Sequence, residues 1–512
     1  MSTFHGLEMA KQALFTQQSA LYTTGHNISN ANTEGYSRQR VNFETMNPFP
    51  AGSRNRPEIP GQLGTGVQAG SVERVRDSFL DYQYRSENSK TGYWESLSNS
   101  YVRMEGIMNE PSDSGLSKTM DSFWQSLQDL ATTPENSGAR SVVAERGRAV
   151  AETFNYLSES LSSIRTDLKT QIDVSVSDAN SLLRQIDGVN AQISALEPHG
   201  YLPNDLYDER DRLIDKLSGM MNIKVSYDKS SKSSPDIAAG LASIEVVDNK
   251  GKALDPAVKL VDGTNAGNEG AVNEIEVEYT DDDTVAVASL NVDGQSIMAS
   301  NGSIKGLIDA YGYKAEDGDG VTGTYTDMLT DLDKMAKTFA EAFNAVHRSG
   351  KDLDGNEGLD FFEFKDGLDG TAEGLTVNQD ILDEPDLIAA APGDETGNTG
   401  NGGNASKLAE VFNDTSLTDD PLGKNTSVNT FYQSLIGEMG VQSQEASRMT
   451  ANANVLRSQV EDQRMSVSSV SLDEEMSNMI KFQHAYSAAA RSMTTIDEML
   501  DRVINNMGLV GR

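Results

Sequence analysis

The chain has 512 residues, enough for two to four domains, yet only 37% are apolar and 6% aromatic, which favours elongated helices and small side domains over one large globule. Its formal charge is −36 and uneven: residues 228–425 hold 40 acidic and 14 basic side chains, whereas residues 1–90 hold eight and nine. An acidic middle repels phosphate backbones, which excludes nucleic acid and anionic membrane as partners and leaves a solvated outer surface as its plain meaning.

The first 30 residues read as one amphipathic helix. Leu7, Leu14, Leu21 and Ile28 recur every seven positions, with Phe4 and Ala10 beside them, a narrow seam of coiled-coil type. Asn27 to Gly35 stops it, because Asn and Gly turn the chain at little steric penalty. Arg38 to Phe43 alternates as an extended segment, and residues 47–70, rich in Pro and Gly, read as irregular or short-strand structure. Helical periodicity then covers Val72–Met108, Leu116–Ala131, a long run from Val143 to about Leu196, and Asp205–Leu217.

After Met221 the period changes from 3.6 to 2. Residues 223–227, 275–279 and 290–292 alternate, and Asp293-Gly294 is a hairpin turn signal. This predicts a small β domain over 222–305 inserted into a helical body. Helix resumes at Tyr325–His347, an acidic Gly-rich tract fills 350–425, and Gly397–Gly403 reads as a flexible loop tip. From Val428 to Val470, positions alternating four and three apart form a heptad seam. Beyond it Met476, Met479, Ile480, Tyr486, Met493, Ile496, Leu500, Val503 and Met507 continue an apolar stripe. The expected fold is mainly α with an inserted β domain. Its parts are a terminal domain (1–70 with 471–512), an elongated helical domain (71–221 with 306–470) and the β domain (222–305). Stripes at both ends must be buried, either against each other and neighbouring copies, or inside a monomeric bundle.

Chemistry-bearing motifs are sparse. There is no cysteine, and hence no disulfide or thiolate site. The five histidines are isolated, and no His-Glu-x-x-His occurs. Gly318 to Gly323 spells a dinucleotide motif, but Glu316, Asp317 and Asp319 would repel a pyrophosphate and no strand runs into it. Asp352 to Glu363 places acids or Asn at calcium-loop positions, with Gly358 one place late and no second helix behind it. Residues 222–305 contain no His, no Cys and no convergent catalytic motif, so no enzyme, cofactor or metal site is expected. No apolar run reaches the roughly 20 residues that span a bilayer. The start of the chain lacks the basic lead and apolar block of a cleaved secretory signal.

The segment Asn27-Ile28-Ser29-Asn30-Ala31-Asn32-Thr33-Glu34-Gly35-Tyr36-Ser37-Arg38-Gln39 resembles the N-terminal signature of the flagellar rod, hook and hook-associated (axial) proteins. Leu472 to Gln483, followed by Ala485-Tyr486 and Ala488 to Arg491, is similar to their C-terminal signature. Gly35-Tyr36-Ser37-Arg38-Gln39, where rod and hook proteins more often carry Gly-Phe, favours the hook-associated branch, as does Asn204 to Ser218, which resembles that branch's helical-domain signature. Of the signature positions, Asn27, Asn30, Asn32, Thr33, Gly35 and Tyr36 carry the likeness.

The resemblance implies a structural subunit at the junction of hook and filament, assembled as a ring and located in the extracellular flagellum. Terminal helices would line an inner tube, with a β domain projecting outward. It also implies export through the flagellar type III apparatus without a cleaved signal. The partners it implies are copies of the chain, hook protein, hook-associated protein 3 and a cytoplasmic export chaperone on the C-terminal helix. Another axial protein, hook or hook-associated protein 3, stays open as the alternative, with a calcium-binding protein more remote. The residues expected at subunit contacts are Leu7, Leu14, Leu21, Ile28, Met479, Tyr486, Met493, Ile496, Leu500 and Val503.

Overall fold

The computed structural model describes residues 3–49, 61–108, 115–280, 286–315, 320–393, 400–415 and 422–506. In chain order the elements are helix α1 (Thr3–Ser29), strands β1 (Gln39–Thr45) and β2 (Val67–Arg74), then helices α2 (Ser78–Met108), α3 (Leu116–Thr132), α4 (Ser137–Leu196) and α5 (Asn204–Met220). Strands β3 (Ile223–Asp228), β4 (Leu241–Val246), β5 (Lys259–Val261), β6 (Ile275–Tyr279), β7 (Val287–Val292) and β8 (Gln295–Ser296) follow. Next come α6 (Ser303–Tyr311), β9 (Tyr313–Lys314), β10 (Val321–Thr322) and α7 (Thr324–Arg348). The rest comprises β11 (Gly350–Lys351), β12 (Phe362–Phe364), β13 (Leu375–Val377), α8 (Gln379–Asp383), β14 (Ala391–Pro392), α9 (Gly403–Glu410), α10 (Val428–Ser468) and α11 (Leu472–Asn506). The architecture is mainly α with small sheets, as the alternation of sequence periods predicts.

Contacts group the chain into two units. The first is residues 1–89, 179–274 and 454–512; the second is residues 90–178 and 275–453. The strands of residues 222–305 divide between them. Sheet β3-β4-β5 belongs to the first, and β6 and β7, in a sheet with β8, β9 and β10, to the second.

In the first unit β1 and β2 form an antiparallel hairpin with a register shift between Asn42 and Phe43. Val72 to Arg74 is therefore strand; the helix expected from Val72 begins six residues later, at Ser78. The ladder explains the difference, since Val72 pairs with Val41 and Arg74 with Gln39. Helix α1 packs on this hairpin, where the Thr16 hydroxyl donates to the Val67 carbonyl at 3.1 Å.

The second unit is centred on phenylalanines. Phe123, Phe339, Phe343, Phe361 and Phe362 are each 0–1% exposed, with Phe412 beside them, and ring centroids lie 4.9–6.0 Å apart. Offset and edge-on packing at such distances adds about 0.5–1.5 kcal/mol per pair beyond area burial. Phe361 and Phe362 come from the acidic tract of 350–425, which holds strands and helices in place of a plain Gly-rich stretch. Within it, residues 394–399 of the supposed loop tip lie outside the described residues, and Gly403 opens α9. Gly318 and Asp319 lie outside them too. Gly323 N-caps α7, and its N–H donates to Asp327 at 3.2 Å. The near-heptad of α10 is used in part here. Tyr432, Met439, Ala446 and Ala453 are buried at intervals of seven.

Several oxygen-bearing side chains of the calcium-like loop, residues 352–363, turn to separate partners. Asp352 turns inward and accepts the Asn356 backbone N–H at 2.7 Å and its side-chain amide at 3.1 Å. Asp360 pairs with Arg348, Glu363 accepts from Asn378, and the Leu359 carbonyl accepts from His347. These three carboxylates stand around a Gly355 turn (φ 84°), and among the described residues no three His, Asp or Glu side chains are placed to hold a metal.

Candidate functional site: the terminal helix pair and its signature turn

Helix α1 packs against α11, so helices from opposite ends of the chain meet within one molecule. Their arrangement is antiparallel. A Cβ on Gly6 would stand 3.2 Å from Ile496, whereas Ala20 and Thr24 share a cavity with Asn478 and Phe482. Small or polar residues recur along α1 at alternating intervals of four and three, Gly6, Ala10, Ala13, Gln17, Ala20, Thr24 and Asn27, and all are buried or half-buried, which makes this its inner edge. On α11 the matching edge is Glu475, Asn478, Phe482, Ala485, Ala489, Met493, Ile496 and Leu500. Small residues let two backbones approach closely, at the expense of apolar area.

Against the residues expected at contacts, the placement is mixed. Leu7, Leu14, Leu21 and Ile28 are half-buried, flanking the small-residue edge. Met479, Met493 and Ile496 are half-buried too and Leu500 is buried, while Tyr486 and Val503 are exposed. The pair also leaves Phe4, Phe15, Tyr22, Met476, Ile480, Met499 and Ile504 exposed. Met507 lies outside the described residues.

The turn after α1 is held by a side chain acting as backbone. Asn27, 1% exposed, donates its amide to the Gln39 carbonyl at 2.8 Å, and its oxygen accepts the Gln39 N–H at 3.0 Å and the Tyr36 hydroxyl at 2.8 Å. Tyr36 also meets His26 Nδ1 at 3.0 Å. Burial, then Asp205, Asp208 and Glu475, push the Tyr36 phenol far up, so it stays a neutral donor. Asn30 bonds back to the His26 carbonyl and accepts from Thr33, and Gly35 takes the left-handed conformation (φ 79°) that a Cβ disfavours. Asn32 and Thr33 are exposed.

The second signature segment, α5, buttresses the first. The Asp208 carboxylate accepts the Ser37 N–H at 3.0 Å, Asp205 accepts from Gln39, and Asn204 donates to the Val72 carbonyl at 2.8 Å. As a sequence α5 looks like a solvated surface helix with Asp208 and Arg212 paired at i, i+4. In the fold Arg212 bonds Glu209, and Asp208 and Asp211 are buried against arginines from elsewhere in the chain. Arg74 bridges Asp208 and Asp211 at 2.9 Å each; Arg76 chelates Asp81 at 2.7 and 3.0 Å. Arg85 reaches Asp215 at 2.8 Å, and Arg464 reaches Asp81 at 2.9 Å and Asp215 at 2.5 Å.

Four arginines thus face four aspartates in a buried network, the one arrangement in which such charges are tolerated. Burial pushes the Asp211 carboxyl up, but Arg76, Arg74, Arg210 and Arg85 outweigh it and hold it well below the usual carboxylate range. At the far side Arg38 joins Glu474 at 2.6 Å and Glu475 at 2.8 Å, tying the N-terminal signature to the C-terminal one. Sequence reading missed this network because its partners stand up to 437 residues apart. Arg38, Glu474 and Glu475 did lie inside the quoted signatures.

The arrangement positions backbone and presents helix surface, and among the described residues no helix is long and apolar enough to cross a membrane.

Comparison with known proteins agrees with that picture. Residues 7–36 match the family of flagella basal body rod proteins, and residues 461–507 match the C-terminal region of the flagellar basal body rod FlgEFG proteins. Residues 101–362, more than half the chain, match the helical domain of flagellar hook-associated protein FlgK. The flagellar hook-associated protein 1 of Bacillus subtilis is 47% identical over 519 residues, covering 100% of each chain. The protein of the same name in Salmonella typhimurium is 25% identical over 588 residues, covering 97% of this chain and 98% of that one. The solved structure of the flagellar hook junction protein FlgK from Burkholderia pseudomallei shares the fold, with a TM-score of 0.53 and 14% identity, over 75% of this chain and 100% of that one. The chain belongs to the flagellar hook-associated protein 1 family, structural components of the bacterial flagellum.

Proposed function

We propose that this chain is the structural subunit that joins hook to filament, assembling as a ring through its paired terminal helices and catalysing no reaction. The observation that carries the reading is the surface of that pair. Phe4, Phe15, Tyr22, Met476, Ile480, Tyr486, Met499, Val503 and Ile504 are all exposed in the single chain. Scattered single apolar residues are ordinary on a surface, but this many on two adjacent helices need covering. Neighbouring copies cover them after assembly, with the half-buried Leu7, Leu14, Leu21, Ile28, Met479, Met493 and Ile496 completing the contacts. Hook protein and hook-associated protein 3 stand on either side of the ring. Before export through the flagellar channel a cytoplasmic chaperone shields the C-terminal helix. The exposed acidic side chains of residues 228–425 keep copies from associating elsewhere.

Deleting the gene and examining the cells by electron microscopy, with a flagellin assay of the medium, tests this. Hooks without filaments, with flagellin lost to the medium, are expected. Missing hooks would make the chain a rod or hook component, and normal filaments would refute an axial role.

A further inference from the structure

The inner edges of α1 and α11 raise a problem of specificity. Alanine, glycine and threonine dominate α1 there, and Ala485 and Ala489 sit midway along α11. Small side chains form shallow knobs and holes, so sliding one helix by a turn changes little packing. Among the described residues the buried Gln17 side-chain oxygen has no hydrogen-bond partner, so it selects no register. A contact outside the seam must set it.

We propose that the ion pair between half-buried Arg38 and buried Glu475 fixes the register in which the first and last helices dock. Glu475 is 2% exposed although it lies in the first turn of α11, where carboxylates ordinarily face water. It accepts from Arg38 Nε at 2.8 Å while the exposed Glu474 takes Nη1 at 2.6 Å, so the guanidinium is gripped by two successive residues. The Arg38 backbone is anchored on both sides. Its N–H donates to the Ser468 carbonyl at 2.8 Å, at the end of α10, and its carbonyl accepts the Val75 N–H at 2.8 Å, just beyond β2. Sliding α11 by one turn would carry Glu475 about 5 Å from this fixed cation and leave it buried alone. A buried polar pair with a single satisfying geometry is the best-attested device for choosing a helix register. Arg38 is on this view a positioning residue. The inference rests on the assembly reading only for its consequence, that one register presents one outer surface to neighbours.

The chain has no cysteine, so the register can be read by engineered disulfides in the purified full-length protein. Gly6→Cys with Ile496→Cys reports the observed register; Gly6→Cys with Met493→Cys, or with Leu500→Cys, reports a slip of about one turn. In the otherwise native chain the 6–496 bridge is expected to form at least tenfold faster than either slipped bridge, and in Arg38→Ala the preference falls to within about twofold. An unchanged preference in Arg38→Ala overturns the proposal. If Arg38→Ala prevents all three bridges, the exchange Arg38→Glu with Glu475→Arg decides: recovery of the 6–496 preference supports the pair, and failure to recover it overturns the pair. Filament formation is scored separately in cells. A retained preference without filaments would remove the register device while leaving the assembly reading intact.

Discussion

The two units solve the problem of holding together in opposite ways. The second closes on phenylalanines, which need only burial and shape, and most of its large apolar groups are inside. The first closes on arginine–aspartate pairs and a seam of small residues, and leaves many of its largest apolar side chains on the surface. Buried ion pairs add little net stability over apolar packing but admit few alternative arrangements. The difference teaches that the second unit draws its cohesion from apolar shape, whereas the first draws it from charge pairing and keeps apolar side chains on its surface.

The largest effects should appear where each unit keeps its own kind of core. Phe343→Ala removes a ring that touches Phe123, Phe361 and Phe362, and is expected to destabilise the second unit by about 3–5 kcal/mol. Urea unfolding followed by tryptophan emission measures it, because both tryptophans of the chain, Trp94 and Trp124, lie in that unit. Asp211→Ala strips a shared counterion from Arg74, Arg76 and Arg85, and should weaken the first unit by about 3–5 kcal/mol. Amide exchange at Ser37 and Gln39 is the readout, and unchanged protection there would mean that the network does not hold the signature turn.

A third expectation separates the units by pH. His347 is buried at the end of α7, its Nδ1–H donates to the Leu359 carbonyl at 2.6 Å, and its Nε2 accepts the Ala389 N–H at 2.9 Å. Burial, outweighing the Leu359 bond and Asp360, brings its pKa down to about 4. The unfolded chain takes up a proton near pH 6.5 that the native state refuses. Stability contributed by neutral His347 is therefore whole above pH 6.5 and is lost as pH falls towards 4, by roughly 3 kcal/mol. The slope should vanish in His347→Gln, measured by tryptophan emission in urea at pH 7 and pH 4.5. In the first unit Asp211, held well below its ordinary range, stays charged throughout that window.

How much of this the sequence showed depends on how local the cause is. Helix α1 ended where Asn27 to Gly35 said it would, and α3, α4, α5, α7 and α11 follow their apolar periods closely. The faces were harder to read. Leu7, Leu14, Leu21 and Ile28 attract the eye because they are large, yet they are half-buried while the smaller Ala10, Ala20 and Thr24 are buried, which a hydrophobic pattern undervalues. Charge misled in the same way. Asp208, Asp211 and Asp215 look solvated until Arg74, Arg76 and Arg464 arrive from distant segments. The net charge of 350–425 likewise hid Phe361 and Phe362, two residues whose burial organises the tract. The left-handed turn at Gly35 was legible from the Asn-Gly cluster, whereas the side-chain bonds of Asn27 to Gln39 and Tyr36 were not.

The smallest effect on stability should come from the surface on which the functional reading depends. Phe15 is 57% exposed and Ile480 is 54% exposed, so Phe15→Asp with Ile480→Asp should shift either unit's stability by no more than about 0.5 kcal/mol per site. Leu14→Asp, at a half-buried neighbour, should also block assembly but with some loss of helix docking. The most direct measurement puts the Phe15→Asp, Ile480→Asp chain into cells lacking the native gene and counts filaments by electron microscopy. The expected result is a folded protein with bare hooks and flagellin in the medium. Filaments of normal number and length would contradict the reading, because the exposed stripe of the terminal helices would then join nothing.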